Sequence, residues 1–130
     1  FFDLIVISEV IEHIPKQNLK KAITEIHNIL KYQGILIATV PYNENLQDND
    51  TICPKCGNKF HRWGHHNTFK KKAFLNLFQN NFKIKKIKIM SFPDWAFSIT
   101  RLIKALIKYL LGRFGSQITT PRIYLVAQKL

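Results

Sequence analysis

Residues 53 to 66 gather the side chains that ligate metals most readily: Cys53, Cys56, His61, His65 and His66. Cys53-Pro54-Lys55-Cys56-Gly57 has the form of a metal knuckle. Two thiolates come from one tight turn, and glycine relaxes the backbone after the second. His61 and His65 complete a two-cysteine, two-histidine set of the kind structural zinc accepts, with Gly64 freeing the backbone before His65. His66 is then left over as a general base. The competing readings are a reduced pair of core cysteines, or a redox C-x-x-C, which normally opens a helix rather than sitting in a loop.

A second group stands near the start. Phe2 to Ser8 is an almost continuous apolar run that stops at Ser8-Glu9, and Glu12 and His13 follow Glu9 at i+3 and i+4. One helical turn would place Glu9, Glu12 and His13 on one face. Two carboxylates and an imidazole suit a divalent ion such as Mg, Mn or Zn, which would polarise an acceptor hydroxyl. The plainer reading has Glu9 lining a pocket, Glu12 solvated and His13 packed at a helix start.

These groups need a scaffold. Phe2–Ser8 reads as a strand buried on both faces, as in a parallel sheet flanked by helices. Leu19, Ala22, Ile23, Ile26, Ile29 and Leu30 recur at helical spacing after Pro15, predicting a helix from Lys16 to Lys31 with Gly34 as its stop. Ile35–Val40 is a second buried strand closed by Pro41, so strand, helix and strand form a right-handed crossover unit. A long polar loop runs from Tyr42 to Thr68. Tyr42, Asn43 and Glu44 are either acceptor-pocket candidates or plain turn residues. A helix over Lys70–Asn80, an alternating strand over Phe82–Met90 with a bulge at Lys85-Lys86, and a last strand over Arg122–Lys129 complete the pattern. The fold class is therefore α/β. Open sheets of this kind bind ligands outside the carboxyl ends of their parallel strands, where Ser8 and Glu9 lie.

The stretch F-D-L-I-V-I-S-E-V-I-E-H-I-P resembles the fourth strand and following turn of class I S-adenosylmethionine (SAM) methyltransferases, and the order of later elements is similar to theirs to the end of the chain. The resemblance implies a partial Rossmann-like sheet, parallel but for an antiparallel last strand, with helices on both faces. It implies a SAM-dependent enzyme, with Ser8 and Glu9 lining the methionine end of the cofactor and Tyr42 and His66 as acceptor-side catalytic candidates. In small-RNA and ubiquinone-pathway methyltransferases the matching E-x-x-E-H binds a divalent metal. The C-P-x-C-G…F-H-R-W-G-H stretch resembles a loop of a subset of these enzymes, where zinc would stiffen a lid over the active site. In the family the glycine-rich SAM loop and the acidic ribose ligand precede this strand. Residues 1–130 are thus expected to form the C-terminal part of one domain and to bind SAM weakly alone.

Composition narrows the partners. With 130 residues and 46% apolar content the chain can bury a core, and it holds no uncharged apolar run of about 18 residues that would span a membrane. The net charge of +12 is carried mostly by scattered lysines in a chain rich in Asn and Ile, without an Arg-rich or aromatic-interleaved stripe, which disfavours nucleic acid. The methyltransferase resemblance implies a small-molecule, sugar-like or lipid-linked acceptor, and a cytoplasmic location is expected. The segment 94–112 predicts an inserted amphipathic helix: Trp95–Leu111 either covers the core or rests on an anionic membrane surface. The other function classes are a zinc-knuckle module contacting RNA or DNA through Arg62, Trp63 and the loop lysines, and an inactive methyltransferase-like scaffold.

Overall fold

A computed structural model describes residues 1–90 and 121–130 and, between them, Ile103, Leu106, Ile107 and Leu110, which are helical and exposed. The remainder of the expected 94–112 helix lies outside the described residues.

Apart from those four helical residues, the described residues form six strands and two α-helices: β1 (Phe2–Ser8), α1 (Leu19–Ile29), β2 (Leu30–Pro41), β3 (Asp50–Ile52), β4 (Lys59–His61), α2 (Lys71–Phe78), β5 (Phe82–Met90) and β6 (Arg122–Lys129). The main sheet has the order β1-β2-β6-β5. β1 and β2 are parallel, with Ser8 beside Thr39, while β6 runs antiparallel to both β2 and β5. The last strand alone is reversed, as the resemblance implies. The side-by-side parallel pair brings the carboxyl ends of β1 and β2 together.

α1 and α2 touch each other and lie over the sheet. Beneath them Leu36, Ala38 and Val40 of β2 and Ile123, Leu125 and Ala127 of β6 are buried at alternate positions, as a pleated strand with one covered face requires. Phe69, Phe74, Phe78 and Phe82 form an edge-to-face chain with ring centroids 5.2–6.0 Å apart, which welds α2 to the start of β5. β1 is less enclosed than its apolar run predicts. Ile5 and Ile7 pack against the core, whereas Phe2, Leu4 and Val6 are exposed on an edge strand.

Three boundaries depart from the sequence pattern. The helix expected from Lys16 begins with a 3-10 turn at Lys16–Asn18 and becomes α-helical only at Leu19. It also stops early, because Leu30 already pairs with Phe2 as the first residue of β2. Gly34 is no helix stop but lies inside that strand. A Cβ there would come within 2.8 Å of Leu30 Cγ and of Lys31 O, so the site excludes any side chain, and Gln33 takes the left-handed turn with φ 60°. The bulge of β5 falls between Ile84 and Lys86, as the doubled lysines predict.

Candidate active site

The carboxyl ends of β1 and β2 carry a polar network. Ser8 Oγ and Thr39 Oγ1 are 2.9 Å apart, Thr39 Oγ1 donates to Glu9 Oε1 at 3.1 Å, and Arg122 Nε donates to Glu9 Oε2 at 2.8 Å. Glu9 N donates to Thr39 O across the two strands. Glu9 itself sits at φ 54°, a left-handed conformation that costs a residue with a Cβ about 1 kcal/mol. The strand therefore ends in a forced turn, and the pair Glu9–Arg122 holds it. Arg122 and Thr39 escaped the sequence reading because residues 9, 39 and 122 meet only through sheet order.

The Glu9 carboxylate is accordingly taken up by Arg122 and Thr39. The chain after Glu9 forms a 3-10 turn at Ile11–His13 rather than an α-helix, and the expected Glu9–Glu12–His13 set does not assemble. Glu12 turns inward instead. It is 0% exposed, both carboxylate oxygens lack a hydrogen-bond partner, and burial raises its pKa above the usual carboxylate range, with the neighbouring Glu9 adding to the rise. The solvated reading of Glu12 is thereby replaced by a buried acid. Leaving such a group unpaired costs on the order of several kcal/mol.

The loop after β2 folds back onto this turn. Its base is closed by Tyr42 bridging Phe69, with Asn43 N donating to Phe69 O and Tyr42 N to Pro121 O, both at 2.8 Å. Its far end is latched: His66 N and Asn67 N donate to Glu12 O, and Asn67 Nδ2 donates to Ile14 O at 2.6 Å. Between them lie a 3-10 turn at Leu46–Asn49 and the small β3–β4 hairpin, whose tip is the cysteine knuckle. Gly57 N donates to Cys53 O with Gly57 at φ 71°, and the Cys53 thiol is held below its usual pKa by the backbone N–H groups of Cys56 and Lys55 and by the Cys56 side chain.

The knuckle forms, but its histidines are elsewhere. Among the described residues, the groups of three ligating side chains whose donor atoms lie within 4.8 Å of one another are Glu12–His13–His65 and Glu44–His61–His65. Neither contains Cys53 or Cys56, so the expected Cys53–Cys56–His61–His65 quartet is split between the hairpin tip and the loop base. His61 and His65 do meet, their rings stacked 4.8 Å apart, and His65 lies edge-on to His13 at 4.7 Å. Tyr42 is half-buried against the core, and His66 is exposed, held by its backbone beside Glu12.

Comparison with known proteins agrees with this architecture. Residues 1–38 match the family model described as a methyltransferase domain. No curated protein matches the sequence. A SAM-dependent methyltransferase from Methanosarcina mazei superposes with a TM-score of 0.62 at 15% identity, over 99% of this chain and 59% of its own. A SAM-dependent methyltransferase from Archaeoglobus fulgidus gives 0.59 at 17%, over 99% and 60%. The chain has the fold of the class I SAM-dependent methyltransferases. The N-methyltransferase NodS of Bradyrhizobium japonicum WM9, in complex with S-adenosylhomocysteine, is similar at a TM-score of 0.52 and 14% identity, over 99% and 46%. The chain thus spans about half to three fifths of the length of these methyltransferase structures. The end of the matched segment, residue 38, lies in β2 one position before Thr39, so the match contains β1 and its turn.

Proposed function

We propose that the chain is the acceptor-side part of a SAM-dependent methyltransferase acting on a small-molecule, sugar-like or lipid-linked acceptor. The observation that carries this reading is the Ser8–Thr39–Glu9–Arg122 network at the adjoining carboxyl ends of two parallel strands, where open α/β sheets bind their ligands. The residues present fit a cofactor there. Ser8 is an exposed residue at the strand end, and Glu9, fixed by Arg122 and Thr39, holds its backbone in the left-handed region.

When bound, SAM supplies an activated methyl group with its own leaving group, so the protein's task is positioning. Ser8 and Glu9 would line the methionine end. The loop latched through Asn67 would cover the acceptor side, with Tyr42 at its base and His66 near its return; His66 is the candidate base for an acceptor hydroxyl. The unpaired edge of β1, with Phe2, Leu4 and Val6 exposed, suits a sheet that continues past it. The parallel β1–β2 pair favours this enzyme over a knuckle module binding nucleic acid.

The test is S-adenosylhomocysteine binding by calorimetry on the full-length protein that carries this sequence, with Glu9→Ala alongside. Micromolar binding weakened roughly tenfold or more by the substitution supports the assignment. Binding indifferent to Glu9→Ala would place the cofactor elsewhere.

A further inference from the structure

We propose that His65 and Glu44 form an imidazole–carboxylate dyad in which His65 Nε2 takes the proton of an acceptor hydroxyl, so that the transfer is an O-methylation. The inference rests on the methyltransferase reading and narrows it to a hydroxyl-bearing acceptor. His65 Nδ1 lies 2.5 Å from Glu44 Oε2, and the two side chains are 11% and 15% exposed. A carboxylate can only accept, so it holds the proton on Nδ1 and leaves the lone pair on Nε2. Serine hydrolases orient their histidine base with a buried carboxylate in the same way.

Both partners are fixed from outside the pair. Glu44 Oε1 accepts from Asn49 Nδ2 at 3.0 Å. His61 stacks on the His65 ring at 4.8 Å, and His13 meets that ring edge-on at 4.7 Å. Trp63 N and His65 N both donate to His61 Nδ1 at 3.2 Å, so His61 carries its proton on Nε2. That N–H, buried 3.7 Å from Glu44 Oε1, steadies the carboxylate, and His61 serves as a wall rather than a second base. Donor atoms of Glu12, His13 and His65 lie within 4.8 Å of one another, which seats the His65 ring against the turn that follows Glu9. The dyad therefore meets the carboxyl end of β1, where the methyl donor is placed. Among the described residues His65 Nε2 has no hydrogen-bond partner, whereas exposed His66 is held only through its backbone N.

His65 Nε2 takes the hydroxyl proton as the acceptor oxygen bonds to the methyl carbon of SAM. The methyl–sulfur bond breaks with both electrons going to sulfur, and S-adenosylhomocysteine leaves. Glu44 stabilises the imidazolium that forms, and water then takes its proton. An alcohol needs this help because its proton must depart as the ether forms. A neutral amine attacks through a lone pair it already holds, so a dyad built this way selects the hydroxyl. His65 is the catalytic residue and Glu44 a positioning residue.

The test is transfer from tritium-methyl SAM by the full-length protein to the small-molecule extract of the cells that make it, with S-adenosylhomocysteine binding measured on each variant. Wild type should place the label in an uncharged, alkali-stable methyl ether. His65→Ala should lose about 10²- to 10⁴-fold in transfer, more than His66→Ala loses, keep its S-adenosylhomocysteine affinity within a few-fold, and regain transfer on added imidazole. Should His65→Ala fail to fold, His65→Gln carries the same expectation. Glu44→Gln should shift the His65 proton toward Nε2 in nitrogen-15 NMR and lower transfer at saturating SAM. Label in a methylammonium product, undiminished transfer by His65→Ala, a larger loss in His66→Ala, or no transfer by a wild type that binds S-adenosylhomocysteine overturns the dyad and leaves the cofactor site standing. Transfer lost to a chelator and restored by Zn²⁺ would make His65 a metal ligand and overturn it too. Absence of S-adenosylhomocysteine binding in wild type would instead bring down the cofactor reading on which the dyad rests.

Discussion

The Glu9–Arg122 pair ties the turn after the first strand to the start of the last, and its removal should be measurable. Arg122 Nε lies 2.8 Å from Glu9 Oε2, and the two side chains are 32% and 31% exposed. Unit charges about 4 Å apart attract by roughly 4 kcal/mol at an effective dielectric of 20. Partial exposure, side-chain ordering and screening reduce the net worth toward about 1 kcal/mol. Arg122→Met also leaves the half-buried Glu9 carboxylate short of a partner. Arg122→Met should therefore cost about 1–2 kcal/mol, and the cycle with Glu9→Gln should show a coupling of about 1 kcal/mol. The assay is urea unfolding followed by circular dichroism for wild type, both single variants and the double variant. Most of the coupling should survive 1 M salt, since a half-buried pair is screened less than an exposed one. A coupling below about 0.3 kcal/mol would refute the claim that this pair holds the strand end in place.

Phe78 is buried between Phe74 and Phe82, so Phe78→Ala should destabilise by about 3–5 kcal/mol in the same assay, and a loss under 1 kcal/mol would show that the aromatic chain is not the core's main joint. The pKa of His27 is lowered by burial and then by Lys129, so its folded form binds fewer protons than the unfolded chain. Its contribution is complete above about pH 6.5 and is lost as pH falls through the lowered folded value, a slope that His27→Gln should flatten in unfolding measured at several pH values. Cys53, with its thiol held low by the knuckle backbone, should alkylate faster at pH 7 in the folded protein than in urea; mass spectrometry of timed iodoacetamide reactions would expose the opposite order.

Where local patterning decides the structure, the sequence was legible. β1, β5 and β6 keep the bounds expected from their apolar patterns, and the doubled lysines mark the β5 bulge. The early start of β2 was hidden because Leu30 satisfies a helical spacing and a strand pairing equally well, and tertiary pairing with Phe2 decides between them. The site was legible only in its residue types. Cys53, Cys56, His61 and His65 are near in sequence, but the β3–β4 hairpin carries the cysteines to its tip while Asn67 and His66 pull the histidines onto Glu12. Glu9, Glu12 and His13 looked co-facial under helical geometry. A 3-10 turn replaces that helix, and the distant Arg122 takes up the Glu9 carboxylate. Spacing along the chain identifies ligands, whereas long-range hydrogen bonds decide which of them meet.

The central claim is that the joined ends of β1 and β2 belong to a SAM site. The most direct measurement is ultraviolet cross-linking of methyl-labelled SAM to the full-length protein, followed by peptide mapping. The account predicts label on the peptide spanning Ser8 to His13, suppressed by excess S-adenosylhomocysteine. Label that resists the competitor, or a protein that takes up none while folded, would contradict it.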